Sequence, residues 1–102
     1  MLIFNTTYLV SDRMYGIWFK WLNEHHIPYM LNSGYFDRPQ VAKVLSNEPQ
    51  EGDSYSVQFQ IANMPLLEEW NRKYGEDFLK GFSTQFGEEV LLFSTVLELL
   101  EC

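Results

Sequence analysis

The run EEVLLFSTVLELL, residues 88–100, carries the most information in the chain. Taken as a strand, it puts Val90, Leu92 and Val96 on one face and Leu91, Phe93, Leu97 and Leu99 on the other, because successive side chains alternate. A strand that is apolar on both faces expects a layer on each side of its sheet. The rest of the chain must supply those layers.

Working back from this strand, Gly87 closes a helix. Asn63 caps the start of that helix and Pro65 sits early in its first turn, where a missing amide hydrogen costs nothing. Leu66, Leu67, Trp70 and Tyr74 form its apolar side, Gly75 weakens it, and Phe78, Leu79, Phe82 and Phe86 continue inward. Before it, residues 54–62 alternate cleanly, with Tyr55, Val57, Phe59 and Ile61 facing one way and Ser54, Ser56, Gln58 and Gln60 the other. The acidic turn NEPQEGD, residues 47–53, separates this strand from another over residues 35–46. Pro39 cannot donate a ladder hydrogen bond, which makes that strand an edge. Further back, Ser11 and Asp12 offer N-cap oxygens to a helix that runs to about His26. Pro28 kinks or restarts it, and Gly34 ends the short segment 29–33. Residues 2–10 form the first strand, with Leu2, Phe4, Thr6, Tyr8 and Val10 on one face and Ile3, Asn5, Thr7 and Leu9 on the other.

The order is β-α-β-β-α-β, a single α+β domain over residues 1–102. This is the ferredoxin-like arrangement, a four-stranded antiparallel sheet with two helices on one face. Two helices cover one face of the sheet and leave the other without a layer. A second copy of the same sheet, related by a two-fold axis, is the simplest cover, so the expectation is a homodimer through the sheet faces. The polar row Ser54, Ser56, Gln58 and Gln60 would line that interface and calls for a partly wet interior. Asn5 and Thr7, mid-strand among apolar residues, are expected to bond across it, the alternative being that they face a cavity.

Composition narrows the function classes. The chain is 46% hydrophobic and 17% aromatic, with a net charge of −7 from seven basic and fourteen acidic residues. That balance opposes both a nucleic-acid footprint and an anionic membrane surface, so no nucleic acid and no membrane are expected as partners. The one cysteine, Cys102, cannot form an internal disulfide, and a cytoplasmic protein is expected. The opening MLIFNTTYLV lacks a basic leader segment and reads as a strand, and no apolar run approaches membrane-spanning length.

FNTTY in the first strand, HIP after the first helix, SYSVQF in the third strand and FGEEVLLFSTVLEL at the end together resemble a small bacterial family known as a domain of unknown function. The resemblance spans nearly the whole chain. More broadly, the pattern is similar to the dimeric α/β-barrel superfamily, which includes cofactor-independent monooxygenases and haem-degrading enzymes. It implies back-to-back sheets in a dimer and a pocket between helices and sheet in each subunit. It implies no particular activity.

His26, in His26-Ile27-Pro28, is the candidate catalytic residue. Several barrel enzymes carry a histidine two residues before a proline at the end of the first helix, and an imidazole there can act as general base or ligate haem. The alternative is a helix-end histidine that caps the last carbonyls. His25 is adjacent and points about 100° away on a helix, so the pair cannot chelate one ion, and no metal site is expected. Tyr8, Trp18, Trp21, His26, Tyr29, Phe59 and Trp70 are the candidate ligand pocket, with the ordinary alternative that aromatics at helical spacing are core. Glycine-rich phosphate loops, nucleophile elbows and CxxC pairs are absent from the sequence.

Three functions follow in order. The first is a small dimer binding an apolar or aromatic metabolite, or a partner protein, with no cofactor. The second is a cofactor-independent monooxygenase or isomerase using His26. The third is a haem-binding protein.

Overall fold

The computed structural model describes residues 1–45 and 52–101. The acidic turn therefore lies outside the described residues apart from Gly52 and Asp53, and so does Cys102. Four strands, β1 (Leu2–Val10), β2 (Asp37–Lys43), β3 (Asp53–Ile61) and β4 (Val90–Glu98), form one antiparallel sheet in the order β2-β3-β1-β4. The chain is thus α+β with ferredoxin-like topology, and β2 and β4 are the edges. Pro39 sits in the irregular stretch between Asp37 and Gln40 where the β2 register shifts, and Arg38 takes a positive φ of 52° there.

The first helical arm is α1 (Tyr15–Trp21), a π-turn (Leu22–His26) and α2 (Ile27–Asn32), running on without a break. The second arm repeats this plan with α3 (Met64–Trp70), a π-turn (Asn71–Gly75) and α4 (Glu76–Phe86). Each π-turn starts directly after a tryptophan. The reason is visible in the buried positions of the first arm, Met14, Trp18, Leu22, His26 and Met30, which recur at strict four-residue steps. Four residues of an α-helix overshoot a full turn by about 40°, so such a series would drift off the sheet. One wider turn resets the phase and keeps the whole series facing inward. It also lets Pro28 follow: the Ile27 amide donates to the Leu22 carbonyl five residues back, so the ladder is already re-registered where the proline has no hydrogen to give. The helix therefore continues through Pro28 to Asn32.

The second arm begins at Asn63, whose side-chain oxygen accepts from the Leu66 amide at 3.0 Å. Its buried positions step from Trp70 to Gly75, five residues on, and then to Phe82 and Phe86. Leu66, Tyr74 and Leu79, expected inward, are exposed instead. Ser11 and Asp12 do not cap the first helix. The Ser11 carbonyl accepts from the Met14 amide in a tight turn, and the helix starts one turn later, with Met14 at its N-cap.

Both arms pack on one sheet face, where Tyr8, Val10, Val57, Phe59, Ile61 and Val90 meet Met14, Trp18, Leu22, Met30, Leu67, Trp70, Phe82 and Phe86. The opposite face is open in the single chain and is divided along its width. On the β4 side the register places Leu91 beside Leu9, Phe93 beside Thr7 and Leu97 beside Ile3. Phe93 is 62% exposed and Leu91 55%. On the β3 side the same face carries Ser54, Ser56, Gln58 and Gln60. Between the halves runs a hydrogen-bonded row. Asn5 Nδ2 donates to Thr95 Oγ1 at 3.1 Å and to Thr7 Oγ1 at 3.2 Å, Ser56 Oγ donates to Asn5 Oδ1, and Gln58 Nε2 donates to Ser56 Oγ at 3.3 Å. Asn5 thus finds its partners within one chain, on β3 and β4, and Thr7 accepts from Asn5 along β1.

Gly52 closes the approach to β3 at φ 112°, a region unfavourable for any side chain. A Cβ there would collide with the Val10 carbonyl oxygen and lie 2.8 Å from Ser11 Cα. Gly52→Ala is therefore expected to lower unfolding free energy by about 2 kcal/mol, from backbone strain plus a backbone clash. Urea denaturation at fixed protein concentration measures it; an unchanged midpoint would show that the turn rearranges freely.

No helix among the described residues is long and apolar enough to cross a membrane.

Candidate functional site

The first π-turn turns Trp21 and His26 toward the second arm, where α4 presents Asp77, Phe78, Gly81, Phe82 and Gln85 at three- and four-residue spacing on one side. Between them lies an open cleft of about 450 Å³, lined by Trp21, His25, His26, Tyr29 and these α4 residues. The volume falls in the lower part of the range of small-molecule sites.

His26 is the centre of a ring stack. Its imidazole lies flat against Trp21, with centroids 4.8 Å apart and planes 13° apart, and Phe78 covers it at 5.0 Å and 31°. Phe59 of β3 meets it at 6.0 Å, edge on. Trp21 is held in turn by the edges of Phe82 and Phe86, at 5.4 and 5.3 Å. Only 5% of His26 is exposed, and no hydrogen bond reaches its ring among the described residues. Burial without a counter-charge disfavours the imidazolium, so its pKa is pushed down to about 4. His26 is therefore neutral near pH 7. A base that weak takes a proton from a substrate at a disadvantage, whereas a neutral ring suits stacking and hydrogen bonding.

The rim is polar. Burial, then the neighbouring Tyr74 and the Asp77 carboxylate, push the Tyr29 hydroxyl up, which puts Asp77 within electrical reach of Tyr29. Among the described residues, no group of three or more His, Cys, Asp or Glu is arranged to hold a metal ion.

Of the seven pocket candidates read from the sequence, the cleft brings together Trp21, His26 and Tyr29. Tyr8, Trp18, Phe59 and Trp70 lie behind it in the core. Tyr8 packs on Trp18, Trp21 and Phe82, and Trp70 packs on Phe4 and Phe36. The Tyr8 hydroxyl and the indole nitrogens of Trp18 and Trp70 are buried without hydrogen-bond partners among the described residues, and burial raises the Tyr8 pKa. The cleft adds His25, Asp77, Phe78, Gly81, Phe82 and Gln85. The signal for Asp77, Gly81 and Gln85 is their four-residue spacing on one helix face.

Residues 1–100 match the family described as a domain of unknown function, DUF4286. The chain belongs to the DUF4286 family. No curated protein matches it in sequence. Among solved structures, the DUF4286 chain is similar in fold to a candidate antibiotic biosynthesis monooxygenase from Deinococcus radiodurans, at 18% identity and a TM-score of 0.68, over 100% of this chain and 95% of that one. HapK from Hahella chejuensis is similar at 12% identity and a TM-score of 0.69, over 100% and 95% of the two chains. A protein from an uncultured marine organism, described as a dimeric ferredoxin-like protein, is similar at 14% identity and a TM-score of 0.65, over 98% and 94%. At these identities the likeness extends to the fold.

Proposed function

We propose that this DUF4286 protein is a cytoplasmic homodimer, joined through the open sheet faces, that binds a small apolar or aromatic molecule in the cleft of each subunit. The observation that carries the binding reading is the cleft itself, walled by Trp21, Phe78 and Phe82 over a buried, neutral His26. The apolar strip on β4 supports the dimer, since monomers rarely leave contiguous apolar surface of this kind in water. The dimeric description of the marine structural neighbour agrees with it. The lone cysteine and net charge of −7 support a cytoplasmic protein without nucleic-acid partners.

Two other readings use His26 differently. As general base of a cofactor-independent monooxygenase or isomerase, it would work against its low proton affinity. As a haem ligand, it would sit in a cleft whose lining holds no Lys or Arg to meet the two propionates and whose Asp77 would repel them. The binding reading needs neither concession.

Native mass spectrometry on gently purified protein tests the proposal. The expected spectrum is two chains carrying a small adduct that is lost in Gly81→Leu, a side chain grown into the cleft from a position with nothing within 4 Å of its Cβ. A clean monomer would overturn the assembly. An adduct that survives Gly81→Leu would move the site elsewhere.

A further inference from the structure

The cleft also carries a charge preference. We propose that its ligand is a flat aromatic molecule bearing a positive charge, with the ring against the aromatic wall and the charge toward Asp77. This rests on the cleft-binding reading and specifies its ligand class.

Among the described residues, Asp77 is the only carboxylate lining the cleft, and no Lys or Arg lines it. Of the cations along α4 and the second π-turn, Lys80 Nζ pairs with Glu76 at 3.0 Å and Lys73 Nζ with Glu69 at 3.4 Å, and Arg72 does not line the cleft. Among the described residues no ion pair involves Asp77, so its carboxylate faces the cleft rim unneutralised, beside the Tyr29 hydroxyl. Carboxylate or phosphate ligands would meet repulsion there without a compensating base. The chain's net charge of −7 adds to that field.

The wall takes the ligand's ring and leaves the charge to Asp77, since aromatic rings pack on one another offset or edge to face. Along α4, Asp77, Gly81 and Gln85 lie one turn apart on one side. The middle position is bare, since a Cβ on Gly81 would meet nothing within 4 Å. A ring entering over Gly81 has the carboxylate one turn to one side and the Gln85 amide one turn to the other. His26, neutral and nearly buried, adds no positive charge to oppose a cation.

Calorimetric titration at low ionic strength with tryptamine, tryptophol and indole-3-propionate tests this, since the three share a ring and differ in charge. The expected order is tryptamine tightest by roughly fivefold over tryptophol, as for an exposed carboxylate–ammonium pair, and the propionate weakest. Asp77→Asn should level the series, 0.5 M salt should shrink it, and Gly81→Leu should abolish binding. Equal affinities in the unaltered protein would overturn the charge preference and leave the cleft reading standing. Binding unaffected by Gly81→Leu would place these ligands outside the cleft and overturn the inference. Absence of binding by all three would overturn the aromatic ligand class, and the mass-spectrometric adduct then decides the cleft reading independently.

Discussion

On the proposed assembly, a Phe93→Asp variant is expected to migrate as a folded monomer at concentrations where the unaltered protein pairs. Phe93 points from β4 into the open sheet face beside Thr7, next to Leu91 and with Leu97 beyond Thr95 on the same face, and is 62% exposed in the single chain. Its replacement leaves the subunit core, which lies on the other side of the sheet, untouched. In a two-fold interface every substitution occurs twice, so two carboxylates would be buried without counter-charges. Uncompensated buried charge costs about 3–5 kcal/mol, enough to raise the dissociation constant by more than roughly a hundredfold. Leu79→Asp is the matched control, because Leu79 is 53% exposed on the helical side. Sedimentation velocity distinguishes the two. If Phe93→Asp sediments with the unaltered protein, the open face is not the interface.

Acid sensitivity is the second large effect. The His26 pKa in the folded chain, about 4, lies below its ordinary 6.5, so between those values the unfolded chain takes up a proton that the folded chain refuses. Stability from this group is complete above pH 6.5, falls as pH drops through the window, and is gone below about 4. A tenfold difference in protonation is worth about 1.4 kcal/mol, so the total is roughly 3 kcal/mol. The charged and titratable groups around this site are Asp77, His25 and Tyr29 in the cleft. The Tyr35 hydroxyl, and after it Lys73, hold the Glu69 carboxyl below its usual range, which gives a loss of the same sign. That group is solvent-exposed and its share is small. His26→Phe keeps a ring in the stack and removes the titration. Urea midpoints at pH 7.5, 5.5 and 4.5, at constant protein concentration, should converge for His26→Phe while the unaltered protein falls steeply. Parallel falls in both would assign the acid limb to carboxylates.

The strands were legible because a period of two has no phase to lose. Every face assignment in β1, β3 and β4 agrees with the observed register. The helical arms were harder. Extrapolating from Trp70 by four residues reaches Tyr74, which reads as buried, but the π-turn widens the step and hands the inward place to Gly75. Nothing in the local composition distinguishes a wide turn from a weak one, although strict four-residue steps from Met14 to Met30 contain the clue. At the cleft, the sequence pointed to aromatic rings without telling those in the wall from those behind it. Trp18 and Trp70 are as aromatic as Trp21, and only tertiary packing sets them in the core. The spacing of Asp77, Gly81 and Gln85 marked one helix face, but not that space opens over Gly81, because a gap is a property of what surrounds it.

The sheet order has a further consequence for how the protein is made. β1, which precedes the other three strands in the chain, lies in the interior of the sheet between β3 and β4, and its Leu2 pairs with Glu98 of β4. Until residues 90–98 are available, β1 has an open edge and the oily strip that β4 contributes does not exist. Closing a pairing across nearly the whole chain is slow by the entropy of the loop it must close. Nascent chains therefore hold a bare strand edge during synthesis, a template for mispairing, and partner-competent surface forms only as β4 zips onto β1. In the proposed dimer, subunits find each other only after that last step, which times assembly by completion of the sheet.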